Sequence, residues 1–306
     1  MAIMYAFSGQ GLQNADMFKL LSGDERGVTF LEEASKLVDI NLLNKNEFSK
    51  YLFDQKFAQL FITILSKGVF DLLSMKSDSG LCGYSLGEAI AFICSANLSL
   101  DKALELVTMR ARFMLEAIDN DESKFSMVSV KDGLDISQIK EVANKYKCEL
   151  AICLSDTHAV IAGSNKELEV FANAVKELGA KFVKKVSVNV PSHTYFLKDA
   201  TSKFASYLKQ YDNCYLRYPI IDSLSLSKNY TSASATSFLA KELSTTLQFG
   251  KLSQCVFEYG YSNVVEIGPG FALKNIFNSH NTYTNCLSCN DFSSIEGMKK
   301  YLENVQ

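Results

Sequence analysis

Gly83, Ser85 and Gly87 stand in the spacing glycine–x–serine–x–glycine, within Leu81-Cys82-Gly83-Tyr84-Ser85-Leu86-Gly87-Glu88-Ala89-Ile90. A short apolar lead-in precedes them, and a helix-compatible run over residues 88–96 follows. This is the pattern of a strand-to-helix nucleophile elbow, in which a serine on a sharp, strained turn presents its hydroxyl above a sheet. Glycine two residues to either side lets strand and helix approach closely. A helix that starts directly after the serine aims unpaired N–H groups and its positive end at any negative charge forming there. Five-residue patterns also match by chance, and the bland alternative is a Gly/Ser-rich loop. A working nucleophile needs, in addition, a base and an oxyanion hole.

The chain has three histidines. His158 falls at the start of an expected strand, and His280 lies in the polar stretch Asn278-Ser279-His280-Asn281, where solvation is expected. His193 follows Val190-Pro191-Ser192 at what reads as a proline-rigidified strand end. There an imidazole can point into a cleft, take the Ser85 proton and later return it. A second informative residue lies in a predicted helix over 102–118. Ala103, Leu106, Val107, Arg110, Met114 and Ala117 follow i, i+3, i+4 spacing, which puts Arg110 on the apolar face. Arg112 shares the opposite face with Glu105 and Glu116 as an ordinary surface pair. A buried guanidinium cannot shed its proton and needs an anion. The partner is either a structural carboxylate or, close to a serine nucleophile, the carboxylate of a substrate held bidentately.

These residues need a large scaffold. With 306 residues, 47% of them hydrophobic, the chain can build a sizeable core in one big domain or two unequal ones. A net charge of −3 with mixed signs excludes a nucleic-acid stripe or a charged tail. The start Met-Ala-Ile-Met-Tyr-Ala-Phe has no signal-peptide character, and no apolar run approaches roughly 18 residues. Eight scattered cysteines suit a reducing compartment, so a cytoplasmic location is expected. Cys286-Leu287-Ser288-Cys289 reads as two ordinary thiols, and no metal site is expected.

The periodicity predicts a strand over 3–7, then the loop Ser8-Gly9-Gln10-Gly11-Leu12-Gln13 with its two carboxamides. Helices are expected over 27–37, with Phe30, Leu31, Ala34, Leu37 and Val38 on one face, and over 55–73. Residues 125–188 change pattern: strand 126–130, helix 136–146, strands 149–154 and 158–163, helix 166–178 and strand 181–188. That β-α-β-β-α-β order is the split unit of ferredoxin-like folds. The predicted architecture is therefore α/β: an α/β-hydrolase-like large domain with a parallel sheet (residues 1–124 and 190–306) and an inserted ferredoxin-like α+β domain (125–189), forming a cleft beside the elbow. A helix over 235–247, a strand over 263–267 closed by Gly268-Pro269-Gly270, and a helix from about 272 complete the large domain.

Taken together, Phe7-Ser8-Gly9-Gln10-Gly11, Gly83-Tyr84-Ser85-Leu86-Gly87-Glu88, Arg110, Val190-Pro191-Ser192-His193 and Val265-Glu266-Ile267-Gly268-Pro269-Gly270 resemble malonyl-CoA:acyl-carrier-protein transacylases in order and spacing. The resemblance covers nearly the whole chain. It implies that Ser85 is the acylated nucleophile and His193 its base, with the backbone N–H groups of Gln10 and Leu86 as oxyanion hole. It also implies that Arg110 holds the free malonyl carboxylate. No bound cofactor is implied: malonyl-CoA is the donor and the phosphopantetheine-type thiol of an acyl carrier protein the acceptor, in a ping-pong reaction. The chain is expected as a monomer or as part of a malonate decarboxylase complex.

The pattern also departs from that family. Tyr84 replaces the His that is usual before the serine in the fatty-acid branch, Ser8 and Leu12 replace Pro and Ser, and Leu154 and His158 fall at the insertion's Asn and Gln positions. Thr245 aligns with a Gln whose backbone carbonyl holds the histidine, and Phe249 and Leu252 with a later Pro and Trp. Gln13-Asn14-Ala15-Asp16-Met17, Phe30-Leu31-Glu32-Glu33-Ala34-Ser35 and the missing His before Ser85 resemble the malonyltransferase subunit of malonate decarboxylase, which is favoured slightly over the fatty-acid-synthesis enzyme as the context. A trans-acting polyketide acyltransferase is a further context. Outside this class stand an acyl-thioester hydrolase, against which Arg110 argues, and a non-catalytic docking subunit, against which the joint presence of Ser85, His193 and Arg110 argues.

Overall fold

In the computed structural model, which describes residues 2–73, 75–280 and 285–304, two sheets organise the chain. Strands β1 (Ile3–Phe7), β2 (Gly80–Gly83), β7 (Ile220–Ile221), β8 (Lys228–Asn229), β9 (Asn263–Ile267) and β10 (Asn285–Ser288) form one, in the order β10-β9-β1-β2-β7-β8. Its pairings are parallel except for the antiparallel β7–β8 edge. β1, β2 and β9 are buried along their whole lengths, as strands covered by helices on both faces must be. The second sheet is antiparallel, from β3 (Phe125–Lys131), β4 (Glu149–Ser155), β5 (His158–Ser164) and β6 (Phe182–Lys185) in the order β4-β5-β3-β6. Helices Ile136–Lys145 and Asn165–Glu177 pack on one of its faces, which completes the ferredoxin-like unit. Its other face shares a core with the first sheet: Met127, Ile152 and Leu154 pack with Met4, Ala6, Phe249 and Val264. Hydrogen bonds from Cys153 N to Leu247 O and from Leu247 N to Ala151 O stitch β4 to the larger part.

Local chemistry explains most boundaries. Asp24 caps the helix Glu25–Val38, and Asp54 caps Gln55–Leu72, each accepting from two backbone N–H groups. Asp135 opens Ile136–Lys145 with a reciprocal capping box. Leu37 is a correction: it is 47% exposed, because the buried stripe is centred on Gly27, Leu31, Ala34 and Val38. The strand predicted over 181–188 shortens to Phe182–Lys185. It pairs with β3 from Phe182–Lys131 to Lys185–Val128, and one further bond, Val186 N to Met127 O, follows before the chain turns away. The helix predicted over 235–247 spans Ser232–Lys241. A 3-10 turn, Glu242–Ser244, follows it, and the chain then extends to pair with β4. The helix carrying Arg110 runs Leu100–Glu116, two residues earlier than expected, and its Arg112–Glu116 surface pair forms at 2.7 Å.

The elbow depends on the tightest approach in the sheet. The helix Leu86–Ser95 starts directly after Ser85 and crosses β1 and β2 at their C-terminal ends. A Cβ on Gly87 would lie 1.9 Å from the Phe7 carbonyl oxygen, and one on Gly83 would lie 2.0 Å from the Gly87 carbonyl carbon. Both obstacles are backbone and cannot rotate away. We expect Gly83→Ala to destabilise the protein by about 1–3 kcal/mol or more in urea unfolding; a loss below about 1 kcal/mol would contradict this packing.

Candidate active site

Ser85 stands between β2 and the elbow helix at φ 55° and ψ −112°, a strained conformation for a residue with a side chain. Its Oγ lies 2.7 Å from Nε2 of His193. His193 is buried, at φ 64°, on the turn after Pro191. Its backbone N–H donates to Leu243 O at 2.8 Å, and Thr194 Oγ1 donates to Pro191 O at 2.6 Å. The ring Nδ1 lies 2.6 Å from the carbonyl oxygen of Glu242. A carbonyl can only accept, so Nδ1 carries the proton and Nε2 is left to accept from the Ser85 hydroxyl. Burial lowers the His193 pKa below its ordinary value; the Glu242 carboxylate and carbonyl oppose the shift, and Arg110 adds to it.

The residue whose carbonyl holds His193 is thus Glu242, three positions before Thr245. Thr245 lies beyond the 3-10 turn and does not serve the imidazole. Glu242 is the residue sequence reasoning missed. The available signal was a carboxylate among Phe238, Leu239, Ala240 and Leu243, all of them buried. Its side chain also answers the question of Arg110's partner: Arg110 Nη2 pairs with Glu242 Oε1 at 3.0 Å, both side chains being almost fully buried. The same nitrogen lies 3.3 Å from Ser85 Oγ, and Nη1 lies 3.3 Å from Gln59 Oε1. Arg110 therefore has the structural ion pair and also stands beside the serine.

Leu86 is the first residue of the elbow helix, so its N–H belongs to the turn that presents Ser85. Gln10 lies in the loop after β1, at the same end of the sheet. Several bonds brace that loop. Ser8 Oγ donates to Glu266 Oε1 at 2.8 Å, Ser8 N donates to Ile267 O at 3.1 Å, and Gly11 N donates to Gln13 Oε1 at 2.7 Å. Glu266 also accepts from Leu273 N and Lys274 N, so one carboxylate ties the loop to the start of the helix Ala272–His280.

A cleft of about 830 Å³ lies between the two sheets, lined by Gln10, Tyr84, Leu154, His158, Lys184 and Lys185 among others. Tyr84 packs edge-on against Phe249, with ring centroids 5.1 Å apart. His158 lies on the cleft wall, its Nε2 2.9 Å from Ser129 Oγ, and is not brought to Ser85. His280 closes its helix, and its side chain lies outside the described part of the structure. Cys286 and Cys289 are free and buried, with both thiols pushed up to about 12 by burial. Among the described residues no helix is long and apolar enough to cross a membrane.

The fold is a parallel α/β sheet that carries a serine on a strained elbow, with an imidazole held by a peptide carbonyl beside it. The chain belongs to the acyl transferase domain family, whose model matches residues 4–300. It is 26% identical over 288 residues to a malonyl CoA-acyl carrier protein transacylase of Buchnera aphidicola, covering 91% of this chain and 92% of that one. Among solved structures it resembles FabD from Acinetobacter baumannii, at a TM-score of 0.85 with 26% identity, covering 99% and 98% of the two chains. It also shares the fold of a malonyl-transacylase solved with its type II polyketide-synthase acyl-carrier protein, at a TM-score of 0.88 with 23% identity, covering 99% and 100%.

The lowered pKa of His193 has a measurable consequence. Nε2 of a neutral His193 is placed to accept the Ser85 proton, so labelling of Ser85 by a fluorophosphonate is expected to rise with pH and level off, with a midpoint below the ordinary histidine value of 6.5. A midpoint above 6.5 would contradict the site.

Proposed function

We propose that this protein transfers a malonyl group from malonyl-CoA to the phosphopantetheine-type thiol of an acyl carrier protein through an acyl-enzyme on Ser85. The observation that carries this reading is the position of Ser85 Oγ, 2.7 Å from His193 Nε2 and 3.3 Å from Arg110 Nη2. A base and a carboxylate-binding cation thus converge on one hydroxyl. The names of the curated relatives and the solved transacylase–carrier complex support the same substrates.

Ser85 Oγ attacks the thioester carbonyl while His193 Nε2 takes its proton. The Nδ1–H bond to the Glu242 carbonyl stabilises the imidazolium that forms. The backbone N–H groups of Leu86 and Gln10 receive the oxyanion, which carries full charge only in the tetrahedral state. Collapse expels the CoA thiolate, which takes the proton from His193. The carrier thiol then gives its proton to His193 and attacks the serine ester, and Ser85 recovers its proton as the acyl group leaves. The cleft admits the long thiol arm, and Lys184 and Lys185 on its wall suit phosphates. In this reading residues 1–124 and 190–306 form the catalytic domain, and residues 125–189 the small domain that walls the cleft.

Intact-protein mass after brief exposure to malonyl-CoA tests the proposal. One malonyl group should appear on the wild type and none on Ser85→Ala. Free malonate released without an adduct would point to a thioester hydrolase, and neither adduct nor turnover would leave a non-catalytic subunit. Carrier proteins of fatty-acid synthesis, of polyketide synthesis and of malonate decarboxylase, offered to the malonyl-enzyme, choose the pathway. Arg110→Ala should slow malonyl loading at least about a hundredfold more than acetyl loading, since lost charge-assisted bonds are worth about 1.5–3 kcal/mol each. Equal losses with the two acyl-CoAs would remove Arg110 from substrate recognition.

A further inference from the structure

Arg110 meets an anion before any substrate arrives. Its Nη2 donates to Glu242 Oε1 at 3.0 Å, and the two side chains are 1% and 0% exposed. The contact runs through one nitrogen of the guanidinium. The same Nη2 lies 3.3 Å from Ser85 Oγ, while Nη1 faces Gln59 Oε1 at 3.3 Å and Met114 Sδ at 3.4 Å. The space beside Ser85 therefore borders an ion pair rather than a lone cation. In a buried pocket with an unpaired guanidinium, an acyl group without a carboxylate would leave the cation uncompensated, which is strongly unfavourable. Here Glu242 supplies the partner from within the protein, and a neutral acyl group carries no such penalty. A malonyl carboxylate is a second anion beside one cation. It has to share Arg110 with Glu242, through the N–H groups now directed at Ser85 Oγ and Met114 Sδ. The preference that Arg110 gives malonyl over acetyl is compressed accordingly. The cavity bordered by Gln10, Gln59, Met114, Leu115 and Val190 measures about 10 Å³, the size of one water, so the site suits short acyl groups.

Resting on the Ser85 acyl-enzyme of the proposed function, we infer that the site has a second activity: it accepts short neutral acyl groups, such as acetyl, from their CoA thioesters, and Glu242 admits them by occupying Arg110. The step is that of malonyl loading. Ser85 Oγ bonds to the acetyl carbonyl carbon as His193 Nε2 takes its proton, the carbon–sulfur bond breaks, and the CoA thiolate leaves with that proton. Glu242 acts on the acyl group only through Arg110. Its carboxylate is also distinct from its peptide carbonyl, which holds His193 Nδ1. The charge on the side chain can therefore be changed while the bond that orients the base is kept.

The test is the rate of acyl-enzyme formation on the full chain, followed by intact-protein mass with malonyl-CoA, acetyl-CoA and hexanoyl-CoA at one pH. Acetyl should load onto Ser85, with a second-order rate constant within about a hundredfold of that for malonyl, because charge-assisted bonds to an unshared arginine would separate the two further. No acetyl adduct, or a malonyl preference above about a hundredfold, overturns the second activity and leaves malonyl transfer standing. Acetyl loading without malonyl loading overturns the malonyl reading instead, with the neutral acyl group left as the substrate. Hexanoyl should give no adduct, and its loading would overturn the restriction to short groups. Glu242→Gln keeps an oxygen that accepts from Arg110 and removes the charge. Malonyl loading should then rise and acetyl loading fall, widening their ratio by about ten- to a hundredfold, the effect of one like charge a few ångströms away. A merely structural Glu242 would slow both loadings alike, so an unchanged ratio overturns its part. The wild-type comparison decides the second activity without any variant having to fold.

Discussion

The carbonyl oxygen of Phe7 sits where a Cβ on Gly87 would be 1.9 Å away, so β1, β2 and the elbow helix can meet only through glycine. Much of the candidate site follows from that meeting. It puts Ser85 at the C-terminal end of a parallel sheet, beside the loop that leaves β1, and turns the first N–H groups of the helix toward the same point. Because β9 pairs with β1, Glu266 and Ile267 at the end of β9 bond Ser8 and brace the loop carrying Gln10. The strain at Ser85 is held by a buried sheet on one side and an entirely buried helix on the other.

Electrostatics at the site are arranged around one residue with two uses. The Glu242 carbonyl fixes the His193 tautomer, and the Glu242 carboxylate neutralises Arg110. The Glu242 carbonyl orients the imidazole, and burial keeps its pKa below the ordinary histidine value although the Glu242 carbonyl and carboxylate oppose the shift. Burying a guanidinium and two carboxyl groups costs desolvation energy, and such clusters persist where each member has a partner. Here Arg110 has its anion in Glu242, and burial holds the neighbouring Glu88 carboxyl well above the usual carboxylate range.

Much of the fold was legible from local pattern. β1 and β9 lie where their apolar runs put them, and the alternation within residues 125–185 foretold the ferredoxin-like order. The fold lost legibility where partners decide structure. Strands β7, β8 and β10 are two to four residues long, too short to carry a period, and exist because the sheet edges offer hydrogen bonds. The helices Lys198–Leu208, Phe249–Glu258 and Ile295–Asn304 went unrecognised among short polar interruptions, although each buries a stripe in the assembled core.

The sequence by itself determined the elbow, the positions of serine and histidine, and the inward face of Arg110, because each is written in spacing of a few residues. What Arg110 meets on that face was open between a structural carboxylate and a substrate. Only the tertiary structure brought Glu242 to it, across a separation of 132 residues. Pairing over such distances depends on how the two sheets and their helices pack, and no local period records it. The displacement of the histidine's anchor from Thr245 to Glu242 has the same cause: the carbonyl that holds His193 is chosen by where the helix Ser232–Lys241 ends against the core, not by residue type.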